Sequence, residues 1–383
     1  MKEQAAIGPL TGVRVLSIEH YGAGPYGTQL LAELGADIVK VENGATGGDY
    51  SRSVGPYPLG DEDSQFHQSF ARGKKSVNVD LKSTEGRARF ERMLADADAV
   101  ANNLRGDQPE KLRIRYEDLA PVKPSIVCAH LSAYGRDNSR ASWPGYDYLM
   151  QAECGYLSLT GEPGGPPARF GLSVVDYMTG SLMALGLVSA VLRARETGRG
   201  CDIDVTLFET ALHQLSYPAV WYLNEGLRTE RLTRSSHPSV VPSQLFRTGD
   251  GWLFVMCQTP KFWGLFCEAI DRPELLADER FSTPADRLAN RETLQEAIEE
   301  TLGGDSTAHW LELLSGQVPV ARVNDIGQAL DNPFVEEVGM TNSVDYPGRE
   351  GGLRMLSSPF RIDGARAPDR RGPLLGEHDE EFP

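Results

Sequence analysis

The stretch Val13-Arg14-Val15-Leu16-Ser17-Ile18, then Gly22-Ala23-Gly24-Pro25-Tyr26-Gly27, then Thr28–Leu34, Gly35 and Ala36-Asp37-Ile38-Val39-Lys40-Val41-Glu42 decides the fold. Its first six residues form an apolar run of strand length. Thr28–Leu34 reads as a helix, and Gly35 breaks the chain before a second run rich in β-branched residues. Two strands with a helix between them form a right-handed βαβ unit around a parallel sheet. The alternation continues downstream. Ser76–Val79 is a third strand, and Ser83/Thr84 with Glu85 opens a helix through Phe90, Met93 and Leu94. Ala99–Ala101 and Ser125–His130 are further strands. A long apolar helix, roughly Tyr177–Arg195, then leads through Thr197-Gly198-Arg199-Gly200 into the strand Cys201–Val205. The fold class is α/β, with a large Rossmann-like parallel-sheet domain.

Near residue 225 the texture changes. Thr229–Pro242 is rich in Arg, Ser, Thr and Pro, as exposed loops are. From Gln244 to about Gly316 a separate block starts with a hairpin signal at Thr248-Gly249-Asp250-Gly251 and continues with helical patterns through Trp263, Phe266 and Leu275. The expected division is a large domain over 1–205, a connecting helix or linker over 206–227, a small α+β domain over 228–324, and a C-terminal segment over 325–383 that returns to the large domain. The length of 383 residues fits two or three domains at about 150 residues each.

A net charge of −16 argues against nucleic acid and against an anionic membrane as partners. The five cysteines are odd in number and widely spread, with no CxxC, as free thiols in a reducing compartment would be. Met1–Ile7 lacks the apolar core of a signal peptide, and the apolar stretch Leu182–Leu192 is too short to span a bilayer. A cytoplasmic location is expected.

Asp176 ends a short apolar run and opens the long helix. A helix N-terminus offers unpaired N–H groups and a positive dipole end, which suit a reactive carboxylate and equally suit an ordinary N-cap aspartate. Gly22–Gly27 fits G-x-G-x-x-G, with Glu42 ending the next strand, the outline of a dinucleotide site. Pro25 removes one N–H donor there, and the glycines equally suit close packing of a helix on a strand. The seven histidines form no HxH, HExxH or Cys/His cluster, so no metal site is expected. Neither a GxSxG elbow nor a P-loop occurs. Arg72, Lys74, Lys75, Lys82 and Arg105 follow or flank predicted strands, where they would suit phosphate groups or form a solvated basic face.

Taken in order, several segments resemble the class III CoA-transferase family, of formyl-CoA transferase and carnitine CoA-transferase type. They are Pro9–Leu16, Leu34–Glu42, Gly73–Lys82, Pro144-Gly145-Tyr146-Asp147, Leu159–Pro163, Asp176, Thr197–Gly200 and Pro373-Leu374-Leu375-Gly376-Glu377-His378. The resemblance implies that a coenzyme A thioester is the substrate, with no tightly bound cofactor, and that CoA passes to a small free carboxylic acid. It implies that Asp176 is the nucleophile, working through mixed anhydrides and an aspartyl-CoA thioester. By the same resemblance Gly22 and Ala23 lie near the thioester, while Val79, Asp80, Leu81 and Lys82 surround the nucleotide portion. Asn103, Leu104 and Arg105 form another CoA loop, Lys111 adds a basic contact, and Tyr146 contacts the substrate from the loop before the nucleophile. It also implies an interlocked homodimer.

Departures narrow the substrate. Gly22 stands where formyl-CoA transferases carry Gln, Asn43 where they carry Arg, and Ser235-Ser236-His237-Pro238-Ser239 replaces their polyglycine loop. The loop 133–142 lacks the common Thr-Gly-Pro. Formate and oxalate are therefore poor expectations. A short dicarboxylic or branched acid is the alternative, with Arg136, Arg140 or Arg169 as partner for a distal carboxylate or as surface residues. Three rival readings remain, the least economical, given Asp176, being a non-catalytic acyl-CoA-binding protein. An α-methylacyl-CoA racemase shares the fold but uses a histidine where Tyr146 stands, and a phenol is a poor base at neutral pH. An NAD-dependent dehydrogenase would rest on the Gly22–Gly27 match.

Overall fold

A computed structural model describes residues 8–383. Met1–Ile7, the segment read above for a signal peptide, lies outside the described residues. One compact unit runs through Gly155 and resumes over Arg169–Ala219 and Phe334–Pro383, and a second comprises Tyr156–Ala168 and Val220–Pro333.

The first unit is built on six parallel strands: β1 (Arg14–Ile18), β2 (Asp37–Glu42), β3 (Lys75–Asn78), β4 (Ala99–Asn102), β5 (Val127–Ser132) and β6 (Cys201–Thr206). Their order is β3-β2-β1-β4-β5-β6. Apolar side chains facing both sheet surfaces explain the continuous hydrophobic runs. Leu16, Val39, Val77, Phe90, Leu94, Val100, Ile126 and Cys128 form one buried cluster, and Phe382 from the returning tail joins it. The closing motif covers the edge of β3, where the His378 N–H donates to the Ser76 carbonyl at 3.0 Å and the Gly376 N–H to Ser76 Oγ at 3.0 Å. Covering an edge strand in this way blunts its tendency to pair with another chain.

Two helix starts differ from expectation. The first helix is Ala23–Glu33, so the glycine-rich segment is helix rather than loop. The long helix is Val174–Thr197, with Ser173 at its N-cap and Gly198 in left-handed conformation at its end. Asp176 is thus the third residue of the first turn, not the cap. The 24 residues of this helix are long and apolar enough to cross a bilayer, which the stretch Leu182–Leu192 alone does not reveal. Its Thr179, Gly180, Met183, Leu187, Val191 and Ala194 are buried, recurring at helical spacing, and it packs on β5, β6 and the first helix.

The second unit holds an antiparallel sheet in the order β7 (Ser243–Arg247), β8 (Trp252–Met256) and β9 (Val320–Arg322). Arg247 pairs with Trp252 across the predicted turn. Helices bury Trp263, Phe266, Leu294, Ile298 and Trp310 against Phe246, Leu253 and Val255. All five cysteines of the chain are free.

Candidate active site

Strand order reverses direction between β1 and β4, and in an open α/β sheet such a switch point leaves a crevice beyond the carboxyl ends of the strands. The loops after these two strands are tied together there. The His20 N–H donates to Asn103 Oδ1 at 2.8 Å, and Asn103 Nδ2 donates to the His20 carbonyl at 2.7 Å.

Two helices deliver their N-termini to this crevice because glycine lets them touch. A β-carbon on Gly27 would lie 2.4 Å from the Gly180 carbonyl oxygen, and one on Gly180 would lie 2.3 Å from the Ala23 carbonyl oxygen. Gly27 of the G-x-G-x-x-G segment therefore serves helix-on-helix packing, and Gly24 makes room for the Asn103 side chain, 2.8 Å from where a Gly24 β-carbon would lie, so close packing accounts for both without a dinucleotide. The close approach presses Asp176 against Gly22, where a β-carbon would sit 2.8 Å from Asp176 Oδ2.

The Asp176 carboxylate has no hydrogen-bond partner among the described residues. Burial, then the charge of neighbouring Asp147, raises its pKa to about 7. Its backbone N–H donates to Asp147 Oδ2 at 2.9 Å. Asp147 opens the helix Asp147–Glu153, is itself buried, and also accepts a bond from Gln151 Nε2. So Asp147, not Asp176, caps the long helix, and it does so from another element. Capping from outside leaves the Asp176 side chain unengaged at a positive helix end.

A cleft of about 450 Å³ opens over this carboxylate, lined among others by His20, Gly22, Ala23, Asn103, Leu104, Arg105, Tyr146 and Asp176. Seven of the residues singled out in the sequence meet there. Leu81, Lys82 and Lys111 line a separate groove of about 580 Å³ with Arg87 and Arg113. Lys82 is exposed and makes no ion pair among the described residues, whereas Lys111 pairs with Asp107 at 2.5 Å. Val79 is buried core, and Asp80 accepts the Lys82 N–H rather than facing either space.

The expected basic cluster disperses. Lys74 is buried and donates to Glu19 Oε1 at 2.7 Å, Arg72 pairs with Glu33, and Lys75 pairs with Glu381 at 2.9 Å. Beneath the cleft, Asp49 accepts the N–H groups of Tyr21 at 3.2 Å and Ser51 at 2.9 Å and pairs with buried Lys40. Burial alone would raise the Asp49 carboxyl, but the Lys40 ammonium holds it well below the usual carboxylate range. Tyr21, Tyr50, Trp143 and Asp147 escaped notice in the sequence as site residues, because aromatic side chains and a motif aspartate carry no spacing signal of their own. Among the described residues, no group of His, Cys, Asp or Glu is placed to hold a metal ion.

Residues 10–379 match the family model described as CoA-transferase family III. The chain is 33% identical over 386 residues to the succinyl-CoA:mesaconate CoA-transferase of Haloarcula hispanica, covering 98% of this chain and 96% of that one. It is 34% identical over 375 residues to the acetyl-CoA:oxalate CoA-transferase of Acetobacter aceti, covering 97% and 94%. Among solved structures, a CaiB/BaiF family protein from Brucella suis is similar, with a TM-score of 0.83, 30% identity and 98% of each chain covered.

Proposed function

This chain belongs to CoA-transferase family III, and from that premise we propose that Asp176 carries the CoA as a covalent aspartyl thioester. It is a CoA-transferase, moving CoA from an acyl thioester to a free carboxylic acid. In the proposed route an Asp176 oxygen attacks the thioester carbonyl, the C–S bond breaks, and CoA leaves as a thiolate, giving a mixed anhydride. The thiolate then attacks the Asp176 carbonyl carbon, releasing the donor's acid and leaving aspartyl-CoA. An acceptor carboxylate attacks that thioester, again expelling the thiolate, and the thiolate attacks the acceptor carbonyl of the second anhydride. The Asp176 carboxylate is regenerated. Each thioester replaces another, so activation is conserved.

The observation that carries this reading is the unpartnered Asp176 carboxylate on the floor of the cleft, where the first-helix N-terminus meets it. A carboxylate with a raised pKa is a better nucleophile once ionised than an ordinary one, as Brønsted behaviour requires. The Ala23 and Gly24 N–H groups at the start of the first helix, which no side chain caps, favour the negative charge of the tetrahedral intermediates, while those of the long helix are taken up by Asp147. Gly22, Ala23, Asn103, Leu104, Arg105 and Tyr146 are placed to hold the reacting end of the thioester. Exposed Lys82, with Leu81 and Lys111, offers the charge that phosphate groups require. Tyr146 in place of a histidine leaves the racemase reading without its base.

The test is hydroxylamine trapping during turnover with an acyl-CoA and a panel of free acids, followed by mass spectrometry. A hydroxamate at Asp176 is expected, and Asp176→Ala should retain CoA binding but lose transfer. Transfer persisting in Asp176→Ala would overturn the proposal.

A further inference from the structure

Tyr146 shares the cleft lining with two further tyrosines, Tyr21 and Tyr50, that the steps above leave without a role. Tyr21 stands between Tyr50 and Tyr146, with ring centroids 5.4 and 6.2 Å away, and Phe66 meets it edge-on at 6.4 Å. Tyr50 and Tyr146 are 63% and 61% exposed, so large rings stand open on the lining instead of filling the core. Tyr21 itself holds a left-handed backbone, with φ at 61°. That conformation is unusual for an aromatic residue and persists where the surroundings impose it, often at functional sites. In this conformation the Tyr21 N–H donates to Asp49 Oδ1 at 3.2 Å.

Charge on this lining points the same way. Arg105 is held bidentately by Asp107 at 2.6 and 3.0 Å. Arg136 is held in the same manner by Asp204 at 2.6 and 2.7 Å, and Arg140 pairs with Glu153. Arg169 lies over the Tyr148 ring at 4.4 Å and donates to backbone carbonyls. None of the three arginines considered above for a distal carboxylate lines the cleft. His20, which does, has its Nδ1 3.7 Å from the Asp49 carboxylate. The cleft floor is acidic, with Asp147 behind Asp176. A second carboxylate on the bound acid would meet repulsion there, and the guanidinium on the lining, that of Arg105, is already engaged by Asp107.

We propose that Tyr21, Tyr50 and Tyr146 form the acyl subsite, and that it takes flat apolar acyl groups, those of aryl and enoyl monocarboxylic acids, in preference to dicarboxylic acids. Offset and edge contacts with the three rings supply the recognition. The assignment rests on the transferase reading of Asp176. Its test is kcat/KM with acetyl-CoA as donor and benzoate, cinnamate, succinate and glutarate as acceptors. The aryl and enoyl acids are expected to exceed the dicarboxylic acids at least tenfold. Tyr21→Gly, which suits the left-handed backbone, and Tyr50→Ala, at an exposed side chain, are each expected to cut that ratio at least fivefold. A ratio near one, a ratio favouring the dicarboxylic acids, or a ratio unmoved in both variants overturns the subsite while leaving the transferase reading intact. No new CoA ester from any acid, with no hydroxamate at Asp176, overturns both.

Discussion

Replacing Asp176 with Asn should abolish transfer and yet stabilise the protein, by an amount that depends on pH. The Asp176 pKa is raised from 3.8 to about 7 in the folded chain, by burial first and by Asp147 second. A carboxyl of this kind binds its proton more tightly folded than unfolded. Its cost to stability is therefore absent below the unfolded value of 3.8, grows as pH rises, and is complete above about 7. At about 1.36 kcal/mol per pH interval the ceiling is about 4 kcal/mol. Water entering the open side of the cleft screens the charge, so about 2 kcal/mol is the working figure. The amide of Asn is nearly isosteric and forfeits no hydrogen bond, because the carboxylate makes none among the described residues. Melting of Asp176→Asn and the parent should nearly coincide at pH 4.5. At pH 8 the variant should melt higher by roughly 2–4 °C per kcal/mol. Scanning calorimetry at the two pH values, with transfer measured in parallel, decides it. An equal difference at both pH values, or a variant less stable at pH 8, would show that Asp176 is not held at an electrostatic cost.

Four further outcomes are expected. In the parent, kcat/KM for the acyl-CoA should rise about tenfold from pH 6 to pH 8 as Asp176 ionises, following a limb near 7; a flat profile over that range would contradict it. Asp147→Asn removes the nearby charge but not the burial, so the same limb should move to lower pH without reaching the ordinary carboxylate value, as a pH–rate profile would show. Gly180→Val puts a side chain where a β-carbon already lies 2.3 Å from the Ala23 carbonyl. It should cost about 1–3 kcal/mol in denaturant unfolding and lower kcat by parting Gly22 from Asp176. Lys82→Ala should raise KM for the acyl-CoA about fivefold with kcat little changed, the loss of one exposed phosphate contact; an unchanged KM would remove Lys82 from the binding groove.

Much of the architecture was legible because strand and helix signals are local. The runs at Val13–Ile18, Ala36–Glu42 and Ser125–His130 carry their own apolar patterns, and β1, β2 and β5 form there within one or two residues. Helix starts were less legible. Gly22–Gly27 has the composition of a loop, and it becomes helical only because Gly27 and Gly180 let two helices touch and gain burial that offsets glycine's poor propensity. Charges were read least well. Lys74, Arg72 and Lys75 are neighbours in sequence, but each finds a different acidic partner in the fold.

Asp176 shows where the division falls. Its position near the start of an apolar helix is written in the residues around it, since helix periodicity and terminus chemistry act over a few positions. Whether it is a cap or a reactive group is not written there. That depends on Asp147, which takes over the capping, and on Gly22, which meets the carboxylate across two packed helices. Its burial, lack of partners and raised pKa come from groups distant along the chain, and desolvation and charge are set by distance in space, which only the packed tertiary structure defines.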